Sequence, residues 1–519
     1  MLVHEGKRAL IMALKNPNKV MTVLPQAKVL KQQAGRTLVA VKHTLDVVKV
    51  LGNIGLNAPS PIKHYYSWPS KYPKPMAHQI ETAAFLIANR RAFCLNGMGS
   101  AKTLSSLWAF HFMKQEDLID AMIVVAPLST LERTWADEVF QNFFDMQCTV
   151  VHGTASRRKK LLAEPADVYV INHDGVGVVH EEILAIMRSK RCLLVLDELA
   201  VYRNARTKRW KITRELVVLA QWAWGLTGTP IPNDPCNAYG QIKMLRPEQV
   251  PRSYVQFQDM VSRQVGPYKR VPRPDATETV FNLMQPAIRY ATRDCIDLPP
   301  TTYVMHHAPL SEDQLAAYKR MRDQKVFQHK EDTTKIVAVN EAVVAMKLIQ
   351  IACGSVITTE DEAHARIESP ARMEIVEDVI EQAEGKVIVF CPVLGAIDYI
   401  RDCLIAKGHK VGQIDGRIDK TTRDSVFSQF QGSGVNVIVA QPGAMAHGLT
   451  LTAGSVIIWY APCYSNEIYE QANARIVRPG QKRNTLIVNI EGTELERAIY
   501  TRLKERQKIQ GKLLEMMEG

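Results

Sequence analysis

"FCLNGMGSAKTLSSLWAF" occupies residues 93–110. It opens as the end of a buried strand, passes through a glycine-containing turn that closes in Lys-Thr, and runs on as an amphipathic helical stretch. A phosphate-binding loop needs backbone N–H groups gathered in a turn ahead of a helix N-terminus. It also needs a lysine that reaches the outer phosphates and a hydroxyl beside Mg2+. Gly97 and Gly99 supply the tight turn, and Lys102 and Thr103 have the required order. The usual pattern places glycine directly before the lysine, where this chain has Ala101. Glycine there permits close backbone approach or a positive φ; alanine is expected to permit only the first, at some steric cost. Alone, the stretch reads equally as a strand–turn–helix of a large α/β core, so the rest of the chain decides.

The 519 residues suffice for two or three domains with substantial cores. A net charge of +12 and a pI near 9.1 lean toward nucleic acid or another polyanion. Residues 1–60 hold nine Lys/Arg against two Asp/Glu, a surplus of seven of those twelve charges. The segment reads as polyanion-facing; a solvated basic face is the plainer account of the same residues. The nine cysteines form no C-x-x-C pair, which argues against a disulfide framework or a zinc site and fits core cysteines of a reducing compartment. The chain start has no sustained apolar stretch and no run approaches membrane-spanning length. The expectation is a cytoplasmic protein with no membrane partner.

"RTLVAVKH" (36–43) alternates like a strand, and "TLDVVKVLGNIG" (44–55) reads as a short helix closed by glycine. Residues 1–60 are thus expected to form a small basic α+β accessory domain, with a proline- and aromatic-rich extended linker at 61–75. From 76 to 240, "AFCLN", "AMIVVAPL", "DVYVIN", "RCLLVLDE" and "WAWGLTGT" read as buried parallel strands separated by helical segments. Residues 241–384 read as a helical insertion and an inter-lobe crossing. A second α/β run, 385–493, contains "KVIVF", "KVGQID", "VNVIVA", "SVIIWY" and "NTLIVNI"; a C-terminal helix is expected over 494–519.

Three further stretches carry chemistry. In "LLVLDELA" an apolar strand ends in Asp197-Glu198, and ligands of open α/β sheets sit beyond the carboxyl ends of strands. There Asp197 can hold the water shell of Mg2+, and Glu198 can orient or deprotonate an attacking water. "GLTGTPIPND" (225–234) makes a small, hydroxyl-rich turn able to contact the acidic pair, or a plain β-turn. In "QANARIVRPGQKR" (471–483) Arg475 and Arg478 are three apart, read as one helix face, and a planar guanidinium suits bidentate pairing with phosphate.

Taken in order, these stretches resemble the motif set of helicase superfamily two, and of its Swi/Snf-type DNA translocases in particular. "HQIETAAFL" is similar to the family's adenine-reading motif at Gln79, and "NGMGSAKT" to its M-G-x-G-K-T loop. "VVAPLSTLERTWADEV", "VYVINHDGV", "DELAVYRNARTKRWK" and "LTGTPIPN" resemble successive elements of its first lobe. "LPPTTYVMHHAPLSEDQLAAYKRM" resembles the crossing segment. "QIDGRIDKTTRDSVFSQFQ", "GLTLTAGSVIIWY" and "QANARIVRPGQ" resemble the second lobe, and "ELERAIYTRLKERQKIQ" the closing helix. The resemblance covers about residues 75–512, and the compact form is most similar to helicase-like proteins of bacteriophages, which would place it in a host cytoplasm. Ala101 replaces a glycine, Ala200 stands where the family often has histidine, and the stretch around Gly448 has fewer glycines than usual.

The resemblance implies an α/β fold of two RecA-like parallel-sheet lobes in tandem, with helical insertions. It implies a DNA-dependent ATP hydrolase that uses ATP and Mg2+ and tracks along double-stranded DNA. Lys102, Asp197, Glu198, Arg475 and Arg478 would be catalytic. Gln79, Gly97, Gly99, Ser100, Ala101, Lys102, Thr103, Gly448 and Gln471 would bind nucleotide, with Thr103 and Asp197 at the metal. Ser129, Thr130, Asn172 and Gln441 are the candidates for the DNA backbone, contacts that position without reading bases. A monomer is expected. A strand-separating DNA or RNA helicase, or a non-motor scaffold that binds DNA or a partner, are the alternatives.

Overall fold

The computed structural model describes residues 1–33, 35–71, 74–267, 269–295, 297–328, 334–357, 364–445 and 450–517. They form two compact units. One comprises residues 1–230, 235–291 and the residues from 513 onward; the other comprises 231–234 and 292–512.

The first unit opens with strands β1 (Leu2–His4), β2 (Ala9–Leu14), β3 (Lys28–Gln33) and β4 (Arg36–Lys42), antiparallel in the order β1-β2-β4-β3. Alternation along β4 buries Val39 and Val41 against Leu10 and Met12. The helix Leu45–Asn53 covers this small core, its first turn capped by the Thr44 hydroxyl, which accepts the Val47 N–H. All nine lysines and arginines of the segment are exposed.

The stretch read as an extended linker contains a one-turn helix, Ile62–Tyr65, and buries Ile62 and Tyr66 in the core of the following lobe. Tyr66, Trp68 and Trp108 meet edge to face, and Trp108 Nε1 donates to Pro69 O at 2.7 Å. Aromatic burial on this scale overrides the extended tendency of a proline-rich sequence.

That lobe is built on β5 (Arg91–Cys94), β6 (Ala121–Ala126), β7 (Cys148–Val151), β8 (Val168–Asn172), β9 (Cys192–Asp197) and β10 (Trp222–Leu226). A hairpin of β11 (Ser262–Gln264) and β12 (Arg270–Pro272) follows, and then β13 (Ala287–Ile288). The sheet runs β13-β5-β10-β9-β6-β8-β7, parallel throughout. The five apolar runs are β5, β6, β8, β9 and β10, buried nearly end to end as parallel strands covered on both faces are. β7 is mostly half-buried and β13 carries two residues, so neither makes a continuous apolar run.

The second unit holds β14 (Thr301–His307), a hairpin of β15 (Ser355–Ile357) and β16 (His364–Arg366), then β17 (Lys386–Phe390), β18 (Val411–Ile414), β19 (Val437–Ala440), β20 (Gly454–Trp459) and β21 (Thr485–Glu491). Its parallel sheet runs β14-β21-β20-β17-β19-β18. The region read as helical insertion and crossing therefore also supplies an edge strand to each sheet, β13 and β14. β14 is largely exposed, so it lacks the apolar run by which buried strands are recognised. The closing helix Glu494–Met517 is anchored by a fully buried ion pair. Arg372 Nη2 lies 2.6 Å from both carboxylate oxygens of Glu496. Two parallel-sheet lobes with helices, preceded in the chain by a small antiparallel domain, form the α/β fold expected. Among the described residues no helix is long and apolar enough to cross a membrane.

Candidate nucleotide site and nucleic-acid-facing turns

β5 ends at Cys94, and the chain turns through 95–101 into the helix Lys102–Gln115. Gly99 has φ +78, and Ala101 has φ +56 and ψ +42. Ala101 thus takes the left-handed conformation that sequence reasoning denied it, at a cost of about 1–2 kcal/mol for an L-residue. The surroundings hold it there. Ser100 is buried, and its Oγ donates to Gly97 O at 2.8 Å. Ser105 N–H bonds Ala101 O at 3.1 Å, and His78 Nε2 lies 3.2 Å from Ser100 O. Lys102 Nζ donates to Asn96 O and Gly97 O, both at 3.0 Å.

The loop is braced from two further sides. Along β13, the N–H groups of Phe93, Leu95 and Gly97 donate to the carbonyls of Pro286, Ile288 and Tyr290 at 3.1, 2.8 and 2.9 Å. Asn96 is fully buried: its Oδ1 accepts the Tyr290 N–H at 2.9 Å, and its Nδ2 donates to Thr82 Oγ1 at 2.8 Å. Arg289 Nη1 donates to Leu95 O at 2.5 Å. Thr82 belongs to the helix Ala77–Ala88, where Gln79 is also buried, its Oε1 accepting the Met76 N–H at 2.8 Å. Sequence reasoning missed Asn96, Arg289 and Tyr290. Asn96 lay inside the opening stretch; a two-residue strand gives the other two no local signature.

β9 lies between β10 and β6, and Asp197 is its last residue. Trp135 Nε1 donates to Asp197 Oδ2 at 3.0 Å, and the Glu198 N–H to Asp197 Oδ1 at 3.1 Å. Trp135 sits in a π-helical turn, Leu131–Ala136, a distortion common at functional sites. Glu198 has φ +51 and heads the tight turn Leu199–Tyr202. Burial pushes the Asp197 carboxyl up from its ordinary range, opposed by the Trp135 hydrogen bond and the Lys102 charge. Burial pulls the Lys102 ammonium down, opposed by Glu198 and Asp197. The fold therefore brings Lys102, Asp197 and Glu198 within one another's electrostatic reach at the carboxyl end of the sheet.

The Thr-Gly-Thr turn lies beside the loop. Thr227 N–H bonds Cys94 O at 3.0 Å, Thr227 Oγ1 accepts the Thr229 N–H at 3.1 Å, and a Cβ on Gly228 would come 3.7 Å from Asn96 O. Beside the buried Ala200, packing joins this turn to the acidic motif: a Cβ on Gly225 would meet Leu199 Cδ2 at 2.5 Å.

Of the DNA-backbone candidates, Ser129 is exposed just beyond β6. Thr130 is buried, and its hydroxyl donates to Pro127 O at 2.9 Å, within its own turn. Asn172 ends β8, and its Oδ1 accepts Arg158 Nη1 at 3.0 Å, which orients the amide. In the second unit Gln441 is partly exposed after β19, its N–H bonded to Ile414 O at 2.8 Å.

Arg475 and Arg478 do not share a helix face. The helix Asn466–Asn473 ends before them, and both lie in the turns beyond. Asn473 Oδ1 accepts Trp459 Nε1 at 2.9 Å, Arg475 Nε donates to Gln471 O at 3.1 Å, and the N–H groups of Ile476 and Val477 both turn back to Asn473 O at 3.3 Å. Burial pulls the Arg478 guanidinium below its ordinary value. Gln471 is 2% exposed, and neither polar atom of its side chain has a hydrogen-bond partner among the described residues. A buried amide in that state fits a group that bonds a ligand. Gly448 lies outside the described residues.

The family model of the SNF2-related domain matches residues 78–354, and that of the helicase conserved C-terminal domain matches residues 371–480. Putative protein p41 of Acyrthosiphon pisum secondary endosymbiont phage 1 is 24% identical over 86% of this chain and 98% of its own length. An uncharacterized ATP-dependent helicase of Mycoplasma pneumoniae is 22% identical over 80% of this chain, which spans 40% of that longer protein. Among solved structures, the Sulfolobus solfataricus SWI2/SNF2 ATPase core in complex with dsDNA is 22% identical, over 87% of this chain and 95% of that one, with a TM-score of 0.40.

Proposed function

The chain belongs to the SNF2-related family, a helicase-like ATPase by its two matched domains, and on that premise we propose that it is an ATP-driven translocase on double-stranded DNA. The observation that carries the reading is the braced loop at 95–101, with Lys102 in electrostatic reach of Asp197 and Glu198. Loop N–H groups, the helix N-terminus and Lys102 cradle the phosphates. Among the described residues no group of three or more His, Cys, Asp and Glu could hold a metal by itself. That donor set fits Mg2+ carried mainly by phosphates and water, with Thr103 and Asp197 from the protein. Bound Mg2+ would neutralise charge on the β- and γ-phosphates. Glu198 would align the attacking water. Closure of the lobes, with Gln471, Gly448, Arg475 and Arg478 then acting on the nucleotide, belongs to the same proposal and rests on the motif resemblance.

The DNA part is supported by the basic charge and by the place of Ser129 and Asn172 at the carboxyl ends of parallel strands. Contacts there, with Thr130 through its backbone and Gln441 in the second lobe, would grip the sugar-phosphate chain with little sequence preference and weaken steeply with salt. The test is steady-state ATPase with no nucleic acid, single-stranded DNA, duplex DNA and RNA, beside Lys102→Ala and Glu198→Gln. Strong stimulation by duplex, lost in both variants, is expected. Preference for single strands or RNA would replace the translocase with a strand-separating helicase. Tight DNA binding without turnover would replace it with a scaffold.

A further inference from the structure

The turn Asn172–Gly175 closes the end of β8, with the Gly175 N–H bonded to Asn172 O at 2.8 Å. Inside it His173 is buried, and its Nδ1 lies 3.0 Å from the Tyr202 hydroxyl. The rings meet edge to face, centroids 5.4 Å apart. Thr213 Oγ1, on the helix Lys208–Leu219, donates to the same hydroxyl at 3.2 Å.

Tyr202 is fully buried and ends the tight turn that Glu198 heads. Its backbone carbonyl is pressed against Gly240. The phenol and the carboxylate proposed to align water therefore belong to one short turn, which the Tyr202 hydroxyl joins to the turn bearing Asn172. An exposed pair, Arg209 to Asp174 at 2.5 Å, joins the Asn172 turn to the helix Lys208–Leu219, with its side chains 37% and 75% exposed. Salt screens such a pair, whereas the buried hydroxyl bond is out of its reach.

We propose that Tyr202 is a positioning residue that ties the nucleic-acid-facing turn Asn172–Gly175 to the turn carrying Glu198, so that nucleic acid held at the first accelerates hydrolysis at the second. This rests on the reading of the chain as a DNA-stimulated ATPase. A shift of the Asn172 turn on binding a phosphate moves His173, the bond to Tyr202 transmits it, and Glu198 at the head of the same turn follows.

The experiment compares basal and duplex-stimulated ATPase of the full chain at saturating ATP. Tyr202→Phe keeps the ring and removes the bond. It should lower the melting temperature somewhat, because buried His173 and Thr213 lose a partner, yet leave the basal rate close to wild type and cut the maximal stimulated rate about fivefold or more, the lower end of ordinary site-to-site coupling. His173→Leu should behave alike. His173→Asn, whose amide places a polar atom near the position of Nδ1, should restore most of the stimulation, and Asp174→Asn should change little at physiological salt. Tyr202→Phe stimulated as well as wild type would overturn the proposal. So would basal and stimulated rates falling by the same factor, the mark of general loosening. Should Tyr202→Phe not fold, His173→Leu and His173→Asn decide: equal stimulation in the two also overturns it. A wild-type chain indifferent to every nucleic acid would instead defeat the functional reading.

Discussion

Trp135 Nε1 donates to Asp197 Oδ2 at 3.0 Å, joining a π-helical turn after β6 to the carboxylate at the end of β9. The bond opposes the burial that pushes this carboxyl up. Trp135→Phe removes it and leaves a buried carboxylate oxygen short of a donor, at a cost of about 1–3 kcal/mol. As an outer partner of a proposed Mg2+ site, its loss should raise the Mg2+ concentration for half-maximal ATPase about tenfold. The carboxylate is the working form, so the acid limb of the pH–rate profile should move to higher pH. A magnesium titration at two pH values checks both; an unchanged midpoint would separate Trp135 from the metal.

Ala101 has φ +56, where an L-residue costs about 1–2 kcal/mol. Glycine removes that strain and returns about 0.4–1 kcal/mol as extra freedom of the unfolded chain. Ala101→Gly should therefore stabilise the fold by about 0.5–1 kcal/mol, a rise of about 1–3 °C in Tm, without raising the KM for ATP. Ala101→Val, with a β-branched side chain at the same φ, should lose nucleotide binding. Thermal melts with and without ATP measure the pair, and a fall in Tm for Ala101→Gly would contradict the strain argument.

Lys28, Lys31 and Arg36 are exposed on the edge hairpin of β3 and β4. If this basic domain grips DNA, replacing the three by glutamine should flatten the dependence of log Kd on log salt by about 0.9 for each phosphate no longer neutralised, while basal ATPase stays as it was. An unchanged slope would make the basic face an incidental solvated surface.

In the Asp-Gly-Arg element of the second lobe, hydrogen bonds from Arg417 hold the buried Asp415 carboxyl down to about 2. The unfolded value is about 3.9. A depressed carboxyl stabilises the fold above the unfolded pKa, and that contribution is lost as pH falls through the folded one. Asp415→Asn should thus melt below wild type at neutral pH, and the gap should close between about pH 4 and pH 2. A gap that stays constant to the acid end would assign the difference to packing.

Local pattern carried much of the architecture. β5, β6, β8, β9 and β10 are continuous apolar runs because both faces of a parallel sheet are covered, and they were legible for that reason. Asp197 was legible as the residue type at the end of such a run, and Lys102 as the lysine closing a glycine-containing turn after one. Arg475 and Arg478 had the right spacing for a helix face, yet the helix ends at Asn473, whose side chain is held by Trp459. The linker reading of 61–75 weighed proline content and could not weigh the aromatic contacts with Trp108.

By itself, the sequence determined the two α/β lobes, the order of the motifs and the residue types at the candidate nucleotide site, because each is written in a few neighbouring positions. The tertiary structure alone decided how that site is held. Asn96 meets the Tyr290 N–H across 194 residues, Trp135 meets Asp197 across 62, and His173 meets Tyr202 across 29. Each bond forms between groups that no local pattern relates. The left-handed Ala101 belongs with them, because its strain is held by contacts from other elements and leaves no mark on the residue type.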